Sequence, residues 1–273
     1  ASGNAQTLVA GTPSAPLVVR VVDQNGDGIA GFQVTYQVAS GGGTLSQATV
    51  ATDAQGNAQS VLTSGATAGP NSVVATAPGL AGSPLTFTLT GTAGPATALA
   101  IASGDNQSAV VGTALAQPFV VRVTDANGNA AANVPVSFAV TAGGGSLSAT
   151  NVTTNARGEA SSSLTLGATA VMNTVSITSA GLSGSPSTFN ASAMAAPAAQ
   201  VRLTSGTNQT GVVGAPLAQP FVVTVTDAGG NGVQGFIVTF AVGAGGGALS
   251  ASSVMADAQG AAIERLMTCH PGD

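Results

Sequence analysis

Oxygen-bearing side chains at Asp23, Asn25 and Asp27, followed by Gly28, give "DQNGDG" at 23–28 the opening spacing of an EF-hand calcium loop. The twelfth position of such a loop supplies a bidentate carboxylate, and here it is the apolar Val34. The string returns as "DANGNA" at 125–130 and "DAGGNG" at 227–232, where Asn129 and Asn231 stand in place of Asp27. The requirement common to all three copies is a turn, with Asn-Gly or Gly-Gly supplying positive φ. The stretch is therefore predicted to be a connection between strands and not a metal site.

Other candidates for chemistry fare no better. Cys269 and His270 are adjacent, a spacing that rarely chelates one ion, and two further ligands are missing. His270 is also the only histidine, so the many serines have no credible general base. Most aspartates sit in Gly/Asn turns that should be solvated, whereas glycoside chemistry needs one acid in an apolar cleft that raises its pKa. The "GGG" runs at 41–43, 143–145 and 245–247 lack the Lys-Ser/Thr continuation of a phosphate loop and read as loops or bulges needing positive φ. Arg20 and Arg122 occupy equivalent positions but Thr224 replaces them, which fits solvent-facing strand residues. Asn106, Asn151, Asn190 and Asn208 open N-x-Ser/Thr triplets, read as incidental. No catalytic, cofactor-binding or metal residue is assigned, no cofactor is expected, and the chain is not expected to be an enzyme.

Composition narrows the partners. The chain of 273 residues is 44% hydrophobic but only 5% charged, with five arginines, no lysine and a net charge of −5. Nucleic acid binding and adhesion to anionic membranes both need clustered basic residues that are absent. No apolar run approaches the ~20 residues of a membrane helix, so no membrane insertion by this segment is expected. A single cysteine excludes an internal disulfide. Abundant Thr, Ser, Gly and Val with no Lys fits an exported all-β protein. The chain opens in a polar, Gly-containing stretch with neither initiator methionine nor leader, so it reads as an excised or incomplete piece.

The elements that would position these residues follow from a repeat. "VVRVVDQNG" at 18–26 recurs as "VVRVTDANG" at 120–128 and "VVTVTDAGG" at 222–230; "GGGTLS" at 41–46 recurs as "GGGSLS" at 143–148 and "GGGALS" at 245–250. A unit of this length is a domain and not a solenoid turn. Within it the apolar residues alternate: Val134, Val136, Phe138 and Val140 share one face, and Pro135, which lacks a backbone donor, should begin that strand or lie at an edge. Short alternating runs separated by Gly, Asn, Asp and Pro clusters predict β-sandwiches and no helix. Tyr36, Phe138 and Phe240 form one aromatic column, expected in the core.

"VVRVTDANGN", "VPVSFAVTAGGGSLS", "TTNARGEASSSLTLGATA" and "GLSGSPSTF" resemble, in order and spacing, the bacterial Ig-like domains of group 1 found in tandem in invasin- and intimin-like surface adhesins. The resemblance covers nearly the whole chain. It implies tandem immunoglobulin-like β-sandwiches with no catalytic residue to carry over. Three units are expected: 1–93, lacking its first strand; 94–196, complete; and 197–273, truncated, with an aberrant tail from about 263 that reads "IERLMTCHPGD". That break in composition suggests a frameshift, a fragment end or a recombination scar. An incomplete sandwich leaves an open core, which is either unstable or completed by a strand from another chain.

The functional expectation is a stalk or spacer of a bacterial cell-surface, adhesin-like protein, extracellular, whose partners are other domains of the same surface protein and, through a module outside this segment, a host or matrix ligand. Short Pro-containing linkers at 91–97 and 192–200 favour semi-rigid joints, and three domains end to end would reach on the order of 100 Å. The alternatives are a ligand-binding Ig-like module for a host protein or glycan, opposed by the scarcity of aromatics, and accessory domains of a secreted enzyme.

Overall fold

Residues 1–268 are described by a computed structural model, and none of them is helical. The period-two run around Phe138 forms the strand Pro135–Ala142. Val136 and Phe138 are 1% and 2% exposed, while Val134 and Val140 pack against the same core. Pro135 opens the strand opposite Thr153, a place where its missing donor does no harm.

This strand belongs to a five-stranded sheet in the order Gln107–Val110, Ser187–Met194, Met172–Thr178, Pro135–Ala142, Asn151–Thr153. Only the outermost pair, Gln107–Val110 with Ser187–Met194, is parallel. Facing it lies a three-stranded antiparallel sheet of Ala96–Ser103, Phe119–Asp125 and Glu159–Ser162. The two sheets meet through alternating Val, Leu and Phe side chains, and the rings of Phe119 and Phe189 stack across the core at 4.4 Å between centroids, 11° from parallel. The chain is a tandem series of such immunoglobulin-like sandwiches.

The first sandwich repeats the five-stranded order with Gln6–Val9, Leu85–Thr92, Gly69–Thr76, Gln33–Ser40 and Thr49–Ala51. Its facing sheet is the pair Leu17–Arg20 and Asn57–Ser60. Where the second sandwich has Ala96–Ser103, the first has the single bridge Ser2–Val18, in the place of Ser103–Val120. Tyr36 takes the core position of Phe138, and its hydroxyl donates to the Ala58 carbonyl at 2.7 Å. Burial, against a smaller opposing effect of the backbone, pushes that phenol up to about 12.

The third sandwich keeps the smaller sheet, with Gln200–Ser205, Phe221–Thr226 and Ala261–Glu264 in the register of the second: Phe221 faces Glu264 as Phe119 faces Ser162. Opposite it, among the described residues, stands only Ile237–Thr239 paired with Ser253–Met255. No strand among the described residues corresponds to Gln107–Val110, Met172–Thr178 or Ser187–Met194. The strand Ala261–Glu264 runs through Ile263, where the sequence departs from the other copies. Leu266–Met267 then pairs with Ala248–Leu249 just as Leu164–Thr165 pairs with Ser146–Leu147. The ladder needs only backbone groups and an inward apolar alternation, which Ala262 and Leu266 preserve. Glu264 stands where Ser162 stood and is buried. Burial would raise its pKa, but hydrogen bonds from the Ala251 amide and the Ser250 hydroxyl outweigh this and hold it below the usual range. The Cys269-His270 pair lies outside the described residues.

Candidate functional site

The three Asp turns are built alike. Asp125 Oδ1 accepts from the amides of Asn127 at 2.9 Å and Asn129 at 2.8 Å, closing an Asx turn in which Gly128 takes φ +81°. Asp227 does the same with Gly229 and Asn231, and Asp23 with Asn25 and Asp27. The strand connection expected from the sequence is therefore what each motif forms. Val34, at the position where a calcium loop would carry its bidentate carboxylate, is fully buried in the first core.

What the sequence did not disclose is the use made of the second carboxylate oxygen. Asp125 Oδ2 accepts from the side-chain amide of Asn129 at 2.9 Å and from the backbone amide of Gly94, in the linker, at 2.8 Å. Asn129 then reaches back into the first sandwich: its Oδ1 accepts from the Ala68 amide at 2.8 Å and its Nδ2 donates to the Ala66 carbonyl at 2.8 Å. One primary amide thus meets a backbone donor and a backbone acceptor of the preceding sandwich while still serving Asp125, a combination no carboxylate could supply.

The second joint repeats this bond for bond. Asp227 Oδ2 accepts from Asn231 Nδ2 at 2.9 Å and from the Ala196 amide at 3.0 Å. Asn231 Oδ1 accepts from Ala170 at 2.8 Å and its Nδ2 donates to Ala168 at 3.0 Å. All four clamp side chains are buried, Asp125 at 5% exposure and Asp227 at 1%. Burial would raise the Asp125 pKa, but the bonds from the Asn129 side chain, Gly94 and the turn amides overcome it and leave it lowered. For Asp227 the Asn231 side chain is the leading cause of the same lowering. Such charge-assisted bonds in a desolvated joint are stronger than neutral ones.

At the first turn the corresponding groups point to solvent. Asp23 and Asp27 are exposed, and the lowered pKa of Asp23 comes first from the Asp27 amide. Arg20 reaches this turn with Nη2, which donates to the Gly26 carbonyl at 3.4 Å, while its Nε donates to the Gln55 carbonyl of the next turn at 3.1 Å; both Arg20 and Arg122 are exposed as expected. The glycine runs are tight loops. Gly143 has φ +88°, and a Cβ there would lie 2.3 Å from the Asn173 side chain. Among the described residues no three metal-ligating side chains converge. The signal for the joint residues was present in the sequence: Asn129 and Asn231 stand where the first copy has Asp27.

The sequence profile of the bacterial Ig-like domain (group 1) matches residues 4–90 and 100–192. No curated protein matches the chain in sequence. Among solved structures, the chain is similar to the Escherichia coli adhesin FdeC at 19% identity and a TM-score of 0.62, with 96% of this chain and 85% of that one covered. It is also similar to Yersinia pseudotuberculosis InvD, at 19% identity and a TM-score of 0.55 over 98% and 83% of the two chains. Invasin, described as a bacterial integrin-binding protein, aligns at 18% identity and a TM-score of 0.51, with 98% of this chain covering 53% of invasin. At these identities the likeness concerns the fold.

Proposed function

For a chain that belongs to the bacterial Ig-like domain (group 1) family, we propose the role of a non-enzymatic stalk in an exported, adhesin-like protein of the bacterial cell surface. Its units are 1–93, 94–196 and 197–273. It holds other domains of the same protein at a distance and in a set orientation, and a host or matrix ligand is engaged by a module outside this segment. It has no catalytic, cofactor or metal residue of its own.

The observation that carries this reading is the repeated clamp. Adjacent domains move relative to one another by default unless the interface between them is substantial. Here Asp125–Asn129 and Asp227–Asn231 tie each linker and each preceding loop to the next sandwich through the same set of bonds. A spacer that only needed length would not require buried, charge-assisted bonds at both joints. Ligand recognition draws no comparable support, since Tyr36, Phe87, Phe119, Phe138 and Phe189 are buried in the cores.

Small-angle scattering combined with a binding screen tests the proposal. The chain should behave as an elongated particle with a narrow distribution of end-to-end distances, broadened when Asn129→Ala and Asn231→Ala are combined. A screen against glycans and matrix proteins should return no saturable binding. A compact, freely jointed particle, or saturable binding by this segment, would overturn the stalk.

A further inference from the structure

In each of the first two sandwiches a glutamine fastens the start of the parallel strand pair. Gln107 Nε2 donates to the Gly104 carbonyl at 2.6 Å and to the Gln117 carbonyl at 2.9 Å, and its Oε1 accepts from the Gln117 amide at 2.9 Å. Gln6 makes the same three bonds, to the carbonyls of Gly3 and Ala15 and from the Ala15 amide. In the second sandwich the chain passes here from Ala96–Ser103, in the three-stranded sheet, to Gln107–Val110, in the five-stranded one. Gly104 permits the crossing: at φ +92° it packs so closely that a Cβ would lie 2.1 Å from the Pro118 carbonyl oxygen. Both parts of the entering segment run in the direction of the segment that leaves. Ala98 bridges Ser183 in parallel, and Gln107–Val110 runs parallel to Ala191–Met194. At the two ends of that ladder the amides of Asn106 and Val111 donate to the Asn190 and Met194 carbonyls, each at 2.9 Å. Gln6–Val9 and Leu89–Thr92 are arranged likewise, between the bonds from Ala5 to Thr88 and from Ala10 to Thr92.

We propose that each of these parallel pairs, fastened by Gln107 or Gln6, is a shear lock through which the chain carries tension along its length. The proposal rests on the stalk reading, because only a segment held at both ends is pulled. Tension enters the second sandwich at Ala96, opposite Asp125 and beside the first joint, and leaves at Met194, beside the second. Since the entering and leaving segments run the same way, opposite pulls at the two ends slide one along the other and load the ladder bonds together. Pulled apart sideways from one end, the same bonds break one after another. Forced unfolding is governed by the rate of crossing the barrier and not by equilibrium stability, so the direction of load decides the outcome for one set of bonds. Gln107 ties Gly104 to Gln117, and so resists withdrawal of the entering strand at the place where it has just left the other sheet. One primary amide there meets two carbonyls and a backbone amide, a combination a carboxylate cannot supply.

The test is single-molecule pulling of the full chain carrying Cys269→Ser, with attachment points placed by Thr92→Cys and Ala199→Cys at exposed positions, so that load crosses the second sandwich end to end. Moving the first attachment to the exposed Thr113, as Thr113→Cys, peels the same pair from its Val110 and Met194 end. End-to-end rupture should release about 300 Å of chain, from the extended length per residue. It should need about twofold or more the peeling force at the same pulling speed. Gln107→Glu should lower the end-to-end force and leave the peeling force unchanged. Ile177→Val, in the core on the strand Met172–Thr178 outside the load path, should shift the chemical denaturation midpoint at least as far without lowering the end-to-end force. Equal forces in the two directions would overturn the proposal whatever the variants do. So would a loss of force from Ile177→Val equal to that from Gln107→Glu. A freely jointed particle in scattering would instead sink the stalk and leave the difference between the two directions standing, so the two readings fail separately.

Discussion

In the turn at 125–130 the carboxylate of Asp125 binds two turn amides with one oxygen, and the linker amide of Gly94 and the side chain of Asn129 with the other. In the turn at 23–28 the carboxylate of Asp23 binds its turn amides alone, and Asp27 faces water. Local backbone geometry is the same in both, with Gly26 at φ +89° and Gly128 at +81°. The comparison separates two jobs written in the same letters. Oδ1 makes the turn wherever the motif occurs, and Oδ2 makes a joint only where a preceding sandwich brings backbone groups within reach. The side chain four residues on follows that division: Asn129 and Asn231 meet carbonyls of the preceding sandwich, and Asp27 faces solvent.

The largest effect that would separate the two jobs is Asp125→Ala, which strips the acceptor from three backbone amides and from Asn129. It should lower stability by about 2–4 kcal/mol in chemical denaturation, because buried donors are left unpaired. Asp23→Ala removes a solvated turn acceptor and should shift the unfolding midpoint much less; equal shifts would break the distinction. Next comes Asn129→Asp, which exchanges a donor for a second carboxylate against the Ala66 carbonyl and Asp125. It should weaken the first joint by about 1–3 kcal/mol, read as faster hydrogen exchange at the Ala68 amide with both cores intact. The reciprocal Asp27→Asn should change neither exchange nor melting temperature.

The smallest effect is that of pH near neutrality. Because Asp125 and Asp227 have lowered pKa values when folded, their contribution is fully present above the ordinary carboxylate value of about 4 and is lost as pH falls through the lowered folded values. Scattering profiles should therefore be constant from neutral pH down to about 4 and broaden only in stronger acid. Asp23 titrates below its ordinary value as well, but its protonation should leave the end-to-end distribution untouched.

The third sandwich shows how far sequence pattern reaches. Phe240 carries the core letter of Phe138 and Tyr36, and its inward placement was legible from period two, yet it is only half-buried because no strands among the described residues cover it. Alternation states which way a side chain points, and burial depends on what arrives from elsewhere in the chain. The strand at 261–264 follows a related rule. Ile263, Glu264 and Arg265 look foreign by composition, but a strand continues as long as its neighbour offers a ladder and the inward positions stay compatible, and Ala262, Glu264 and Leu266 meet that condition through Met267.

By itself the sequence determined the period, the sandwich, the turns and the inward faces, because each rests on local rules: alternation along a strand, positive φ at glycine, a carboxylate reaching its own following amides. The tertiary structure alone decided that Asn129 and Asn231 close the joints, since their partners Ala66, Ala68, Ala168 and Ala170 lie in the preceding sandwich and meet them only after both have folded. It decided equally how far the third core is covered among the described residues, for a side chain's pattern does not report which strands arrive to meet it.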